Sequence, residues 1–146
     1  MFSYEKYEIR LESIGGLGAN LVGKLLGQLG AEYMELNAQS FASYGSEKRG
    51  SPVKAYIRYS NPDKEIRINC PVEKPDLLGI FNISLGGEEN VTAGVDEHTN
   101  IVVNTVLSPE ETRDRLKLYG GNLWCIDALG MSSKIGTRVN MVLLGA

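Results

Sequence analysis

The sequence predicts an α/β fold: a three-layer α/β/α domain around a mixed sheet that includes a β-hairpin, with residues 1–146 forming one domain. Three observations predict it. A strand-like alternation over residues 7–14 runs into Gly15-Gly16-Leu17-Gly18 and then into a helical stripe of leucines. Alternating apolar residues over 53–70 read as two antiparallel strands, and buried runs at 77–83 and 100–106 lead to a sharply signalled helix start at Ser108. Strands alternating with helices imply parallel pairing, and the hairpin makes the sheet mixed.

Within the first strand, Ile9 and Leu11 share one face. Leu17, Leu21, Leu25 and Leu29 recur at i, i+4, joined by Val22 and Leu26, so the next helix is expected to bury that stripe and stop at Gly30. Residues 33–37 read as a short second strand. The segment 40–52 then packs Gly45, Gly50, Pro52, the adjacent cations Lys48 and Arg49, and the aromatics Phe41 and Tyr44 into a stretch with neither helical nor strand period. Such a stretch is a shaped loop, to be weighed as a functional element or as a solvated turn.

After it, Val53, Ala55, Ile57 and Tyr59 alternate with Lys54, Tyr56 and Arg58, which gives one buried and one wetter face. Asn61-Pro62-Asp63-Lys64 is turn chemistry, and Ile66, Ile68 and Cys70 resume the alternation until Pro71 and Pro75 break it. Ser108, Pro109 and Glu111 form a capping box with proline at the first helical position, for a helix expected to run to Gly120-Gly121. Residues 123–127 read as a strand, and 139–144 as a last helix or strand.

At 146 residues, 42% hydrophobic and 23% charged, the chain can bury a core without disulfides or metal. A net charge of -3 argues against nucleic acid as a partner. Cys70 and Cys125 lack metal-ligand spacing and read as buried free thiols of a reducing compartment. The charged N-terminus has no signal-peptide core, and no run approaches the ~18 apolar residues of a membrane span, so a cytoplasmic protein without a membrane partner is expected.

The glycine turn before a helix invites a dinucleotide reading, with Glu35 as the acid on a ribose. Against the three-glycine fingerprint, however, Leu21 stands at the third glycine. Against a P-loop, Leu25 follows Lys24 where Ser or Thr is required. A tight structural or subunit-facing turn is the other reading of Gly15, Gly16 and Gly18. His98 reads as a solvated loop histidine, Asp127 as a helix cap rather than a site residue, and Trp124 as core. No residues form a catalytic or metal-binding constellation.

Together, Ile14-Gly15-Gly16-Leu17-Gly18 opening a helix and Ser40-Phe41-Ala42-Ser43-Tyr44-Gly45-Ser46-Glu47-Lys48-Arg49-Gly50-Ser51-Pro52-Val53 entering a strand resemble the gamma subunit, or gamma domain, of the 2-oxoacid:ferredoxin oxidoreductases of the pyruvate, 2-ketoisovalerate and 2-oxoglutarate type. Lys74-Pro75-Asp76-Leu77-Leu78, Ile126-Asp127-Ala128 and the terminal Asn140-Met141-Val142-Leu143-Leu144-Gly145-Ala146 also look like that family. Two departures stand out. Ile14 occupies the place of a frequent arginine, and the family usually runs on beyond the Leu-Gly-Ala here, as expected of either a C-terminally shortened member or a truncated sequence.

The resemblance implies a subunit of a complex that oxidatively decarboxylates a 2-oxoacid, usually to an acyl-CoA, and passes electrons to ferredoxin. It places thiamine diphosphate, Mg and [4Fe–4S] clusters in partner subunits of alpha, beta and delta type, with coenzyme A as co-substrate. This chain is then an assembly subunit bordering the CoA approach, with no catalytic residue of its own. Tyr44, Gly45, Lys48, Arg49 and Gly50 are its expected interface or CoA-bordering residues, Arg49 pairing with an acidic group across the interface or with CoA phosphates. The alternative is a free-standing Rossmann-like dinucleotide-binding protein.

Overall fold

The computed structural model describes residues 5–45, 50–88 and 90–146. Strands β1 (Lys6–Ile14), β2 (Asn37–Tyr44), β3 (Pro52–Ser60), β4 (Leu77–Ile80), β5 (Asn100–Asn104) and β6 (Asn122–Ile126) form a 6-stranded sheet in the order β2-β3-β1-β4-β5-β6. β3 runs antiparallel to both β1 and β2, while β1, β4, β5 and β6 are mutually parallel. Helices α1 (Ala19–Gln28) and α4 (Val139–Gly145) contribute to one side, and α2 (Pro109–Leu116) covers the other; α3 (Ala128–Ile135) links β6 to α4.

Each sheet face has its own core. Ile9, Leu11, Ala55, Ile57 and Tyr59 meet Ala19 and Val22 of α1 on one face, with Leu143 and Leu144 of α4 packed against them. Leu78, Ile80, Ile101 and Val103 meet Leu85, Val91, Leu116 and Leu118 on the other. Full burial of one such aliphatic side chain contributes about 1.5–3 kcal/mol. The architecture is the expected mixed, helix-covered sheet, but several elements differ from the sequence reading.

The hairpin is β2–β3 rather than 53–70. β3 is already hydrogen-bonded on both edges, from Lys6↔Ser60 to Ile14↔Pro52 on one side and from Asn37↔Ser60 to Tyr44↔Val53 on the other. No edge is left for residues 66–70, which are irregular, and Cys70 is exposed rather than buried. The short strand expected at 33–37 is replaced by a π-helical turn, Leu29–Tyr33, and Gly30 sits inside that turn instead of capping a helix. Gly30 is needed there because a Cβ would overlap the Tyr59 ring.

Only part of the apolar stripe read for α1 faces the core, through Val22 and Leu26, with Leu17 just before the helix. Gly23 lies over Ala55 and Ser40, and Gly27 over Ser40, so the helix sits close to the sheet along a narrow line of small residues. Ala19, Val22 and Gly23 are buried, while Leu21 and Leu29 remain 45% and 42% exposed. Helix α2 has the capping box read from the sequence, but it ends at Leu116, with Lys117 in the left-handed region at φ 54°. Gly120 and Gly121 instead accept hydrogen bonds from the Arg113 guanidinium. Trp124, read as core, is exposed on edge strand β6.

The second face of β1 carries charge. Glu8, Arg10 and Glu12 are 8%, 4% and 1% exposed. Arg10 donates to the carbonyls of Val72, Glu73, Val91 and Ala93 at 3.0, 3.2, 3.1 and 2.6 Å, which holds irregular chain over the sheet. Its Nε lies 3.0 Å from Glu12 Oε1, and Lys54 Nζ lies 3.2 Å from the same oxygen; the Arg10–Glu12 contact is a charge contact without hydrogen-bond alignment. Beside it, Arg58 Nε donates to Glu8 Oε1 at 2.7 Å.

Burial pushes the Glu12 carboxyl above the usual glutamate value, against the pull of Lys54 and Arg10. Burial also raises Glu8, but hydrogen bonds from Lys6 and Arg58 outweigh it and leave that carboxyl lowered. The two groups therefore act oppositely on stability. Glu12 contributes stability that is present below its unfolded value and lost as pH rises through the raised folded value; Glu8 contributes stability present above its unfolded value and lost as pH falls through the lowered one.

Two outcomes follow. Arg10→Ala leaves buried carbonyls without their donor and Glu12 with Lys54 alone, and urea unfolding is expected to show a loss of about 3–5 kcal/mol. Glu12→Gln is expected to remove the decline of stability with rising pH just above the glutamate range, read from urea unfolding between about pH 4 and about pH 8.

Candidate functional site

The carboxyl ends of β1, β4, β5 and β6 lie along one edge of the sheet, where open α/β sheets hold ligands. Asn104, closing β5, ties this edge together. Its Nδ2 donates to the Phe81 carbonyl after β4, and its Oδ1 accepts from the Ala128 N–H that opens α3, both at 3.0 Å. Asp127 accepts from Gly130 N–H at 2.8 Å and so caps α3, the role favoured from sequence.

The glycine turn leaves β1 at this edge. Gly16 and Gly18 have φ of 94° and 80°, a conformation that side-chain-bearing residues rarely adopt. Gly18 is the N-cap of α1, and the first turn of that helix has neither an acidic residue nor a side-chain cap. Its N–H groups and positive dipole end therefore face outward without a partner from the helix itself.

The β2–β3 hairpin neck lies beside the same turn. Gly15 N–H donates to the Ser51 carbonyl at 3.0 Å, Gly45 N–H donates to the Pro52 carbonyl at 2.9 Å, and Asn20 Nδ2 donates to Tyr44 Oη at 2.6 Å. Tyr44 is exposed, and Gly50 has φ 87°. The structure thus brings Gly15, Gly16 and Gly18 together with Tyr44, Gly45 and Gly50. Lys48 and Arg49 lie outside the described residues.

The remaining wall comes from the loop before α4. Asn140 is 3% exposed, and its amide fills the space where a Cβ on Gly18 would stand. Its Oδ1 accepts no hydrogen bond from the described residues. With Gly16, Leu17, Ser132, Thr137, Arg138 and Val139, these groups line a cleft of about 310 Å³. Ser132, Thr137 and Arg138 were not legible as site residues from the sequence. For Asn140 the available signal was one polar residue between Val139 and Met141 in an apolar run.

Among the described residues the lining of this cleft offers backbone amides, hydroxyls, an amide and one guanidinium, groups suited to binding a ligand. Among the described residues no three or more His, Cys, Asp or Glu side chains gather as a metal site. Glu35 does not end a strand; it lies exposed in the loop before β2 at φ 54°, and β2 runs antiparallel to β3, so the ribose-binding acid of a dinucleotide fold has no counterpart here. His98 is a solvated loop residue, as expected. No helix among the described residues is long and apolar enough to cross a membrane.

Residues 8–146 match the family described as pyruvate ferredoxin/flavodoxin oxidoreductase. The chain is 37% identical over 142 residues to the pyruvate/ketoisovalerate oxidoreductases common subunit gamma of Thermococcus kodakarensis, covering 95% of this chain and 75% of that protein. It is 33% identical over 141 residues to the pyruvate synthase subunit PorC of Methanocaldococcus jannaschii, covering 95% and 74%. The crystal structure of pyruvate oxidoreductase subunit PORC from Thermotoga maritima superposes with a TM-score of 0.82 at 25% identity, over 97% of this chain and 74% of that one. A 2-oxoglutarate:ferredoxin oxidoreductase from Magnetococcus marinus, solved with 2-oxoglutarate, coenzyme A and succinyl-CoA bound, shares the fold at a TM-score of 0.69 and 16% identity, over 97% of this chain and 23% of that one.

The contact between Gly18 and Asn140 makes the two left-handed glycines separable by experiment. Gly16→Ala meets no neighbouring atom and is expected to cost about 1 kcal/mol from backbone conformation alone. Gly18→Ala adds the overlap with Asn140, so its cost is expected to be the larger, and Asn140→Ala in the same chain to recover part of it, as a double-mutant cycle by chemical unfolding would show.

Proposed function

The chain belongs to the pyruvate ferredoxin/flavodoxin oxidoreductase family, and on that premise we propose that it is a gamma-type subunit that completes the complex and seats the phosphate-bearing part of coenzyme A in the Gly16–Asn140 cleft. The complex oxidatively decarboxylates a 2-oxoacid, yields an acyl-CoA and delivers electrons to ferredoxin. One observation carries the seat: the buried Asn140 amide, with an oxygen that no described residue satisfies, held against the glycine turn at the start of α1. A buried polar atom left without a partner costs about 1–3 kcal/mol, which a ligand that supplies the bond returns. Coenzyme A offers both kinds of partner. Its amide N–H groups can donate to Oδ1, and with the amide turned through 180° its phosphate oxygens can accept from the nitrogen.

Around Asn140, the first-turn amides of α1 offer donors to an anion, and Arg138 adds a fork suited to phosphate. The thiol end of the coenzyme then reaches toward a partner subunit. In this reading thiamine diphosphate, Mg and the [4Fe–4S] clusters belong to the alpha-, beta- and delta-type subunits and supply the carbanion and electron-transfer chemistry there. This chain's own residues do not fit a cluster, which takes four cysteines where the sequence has Cys70 and Cys125 alone. Its contribution is binding and orientation.

The hairpin loop has the second role. Lys48 and Arg49, between Gly45 and Gly50, are assigned to an acidic surface of a neighbouring subunit, with the neck of the hairpin held to the glycine turn by Gly15 and Ser51.

The test uses the intact complex, purified without oxygen. Asn140→Leu and Arg138→Ala are expected to raise KM for coenzyme A about tenfold or more while the KM for the 2-oxoacid stays unchanged. Arg49→Ala is expected to weaken assembly, read as loss of this chain from the native mass. Unchanged CoA kinetics in both cleft variants would remove the coenzyme seat. Intact assembly together with unchanged CoA kinetics in the Arg49 variant would remove the role given to the loop.

A further inference from the structure

We propose that β2 is a pairing edge for a second copy of this chain, two β2 strands running antiparallel about a two-fold axis and joining two sheets into one. β2 is the outermost strand, and all of Asn37–Tyr44 pairs with β3 in unbroken register. Its sequence, Asn-Ala-Gln-Ser-Phe-Ala-Ser-Tyr, has no charge, proline or glycine. Among the described residues no other segment hydrogen-bonds its outer backbone. Natural sheets blunt an exposed edge with lysine, proline, a bulge or a covering loop, and a long, regular, neutral edge without them is a template for another strand.

Symmetry and geometry identify the occupant. A neutral strand laid against itself opposes no like charges in any register, and a two-fold through its middle brings Phe41 near its mate, a favourable cross-strand aromatic pair. α1 lies above β2 and β3, with Gly23 on Ala55 and Ser40 and Gly27 on Ser40. With strands about 4.8 Å apart, an axis half a spacing beyond β2 sets α1 and its mate about 10 Å apart, near the 8–10 Å at which helices pack. A single strand from a different protein would leave that flank of α1 empty. The flank carries Asn20 and Gly27 with Lys24 between them, so the two-fold sets Lys24 toward its own copy, a like-charge contact that two exposed lysines relieve by extending into solvent.

Sedimentation velocity on the purified full chain tests the pairing, with hydrogen exchange of the β2 amides over a concentration series. A reversible dimer is expected, with β2 amides that slow as concentration rises. Ser43→Lys, which changes an exposed residue, is expected to weaken the dimer at least tenfold while the unfolding temperature at low concentration holds. In the native complex the same pairing requires copies of this chain in even number, cross-linked from β2 to β2. A monomer at high micromolar concentration overturns the proposal. So does a dimer whose β2 amides exchange as fast as those of the monomer, or a native complex with protected β2 amides and a single copy of the chain.

Discussion

Arg10 holds the structure together from the inside of the sheet. It lies on the central strand, and its guanidinium reaches four carbonyls on two separate irregular segments while its Nε stays beside Glu12. A helix covering a sheet satisfies its own backbone; an irregular segment does not, and must find donors elsewhere. One fork-shaped cation on β1 supplies them for Val72, Glu73, Val91 and Ala93. The chain on either side of β4 can therefore lie over the sheet without forming a regular layer.

That arrangement explains what was legible in the sequence. Local signals survived wherever local chemistry decided the outcome: the Ser108–Glu111 capping box, the Asp127 cap, the glycine turn after β1, and the buried strands β4 and β5. The misreadings arose where neighbours decided. Ile66, Ile68 and Cys70 alternate like a strand, but β3 had no free edge to receive one. Glu8, Arg10 and Glu12 are buried although charged, because Arg10 pairs with Glu12 and with carbonyls and Glu8 pairs with Arg58. Of the stripe read for α1, Val22 and Leu26 reach the core, while Leu21 and Leu29 stay exposed because the line of closest approach to the sheet runs along Gly23 and Gly27.

The site was legible in parts and not as a whole. Sequence singled out the glycine turn and the central loop separately, for different reasons. Only the register between β1 and β3 shows that they are neighbours, since Ile14 opposite Pro52 brings Ser51 to Gly15. Asn140 was harder still, because it is buried against Gly18 with an oxygen that no described residue satisfies, and neither property is written in residue type or spacing.

The hydrogen bond from Gly15 to Ser51 and the one from Asn20 to Tyr44 join the hairpin neck to the start of α1. If the partner and the ligand of the proposed function each prefer one arrangement of these bonds, their affinities are linked, and linkage is reciprocal. Any partner that prefers one arrangement of the hairpin neck shifts affinity at the glycine turn, and any ligand at the turn shifts the partner's affinity by the same factor. With the proposed partner at the hairpin and the proposed ligand at the turn, assembly and ligand binding would be two readings of a single equilibrium.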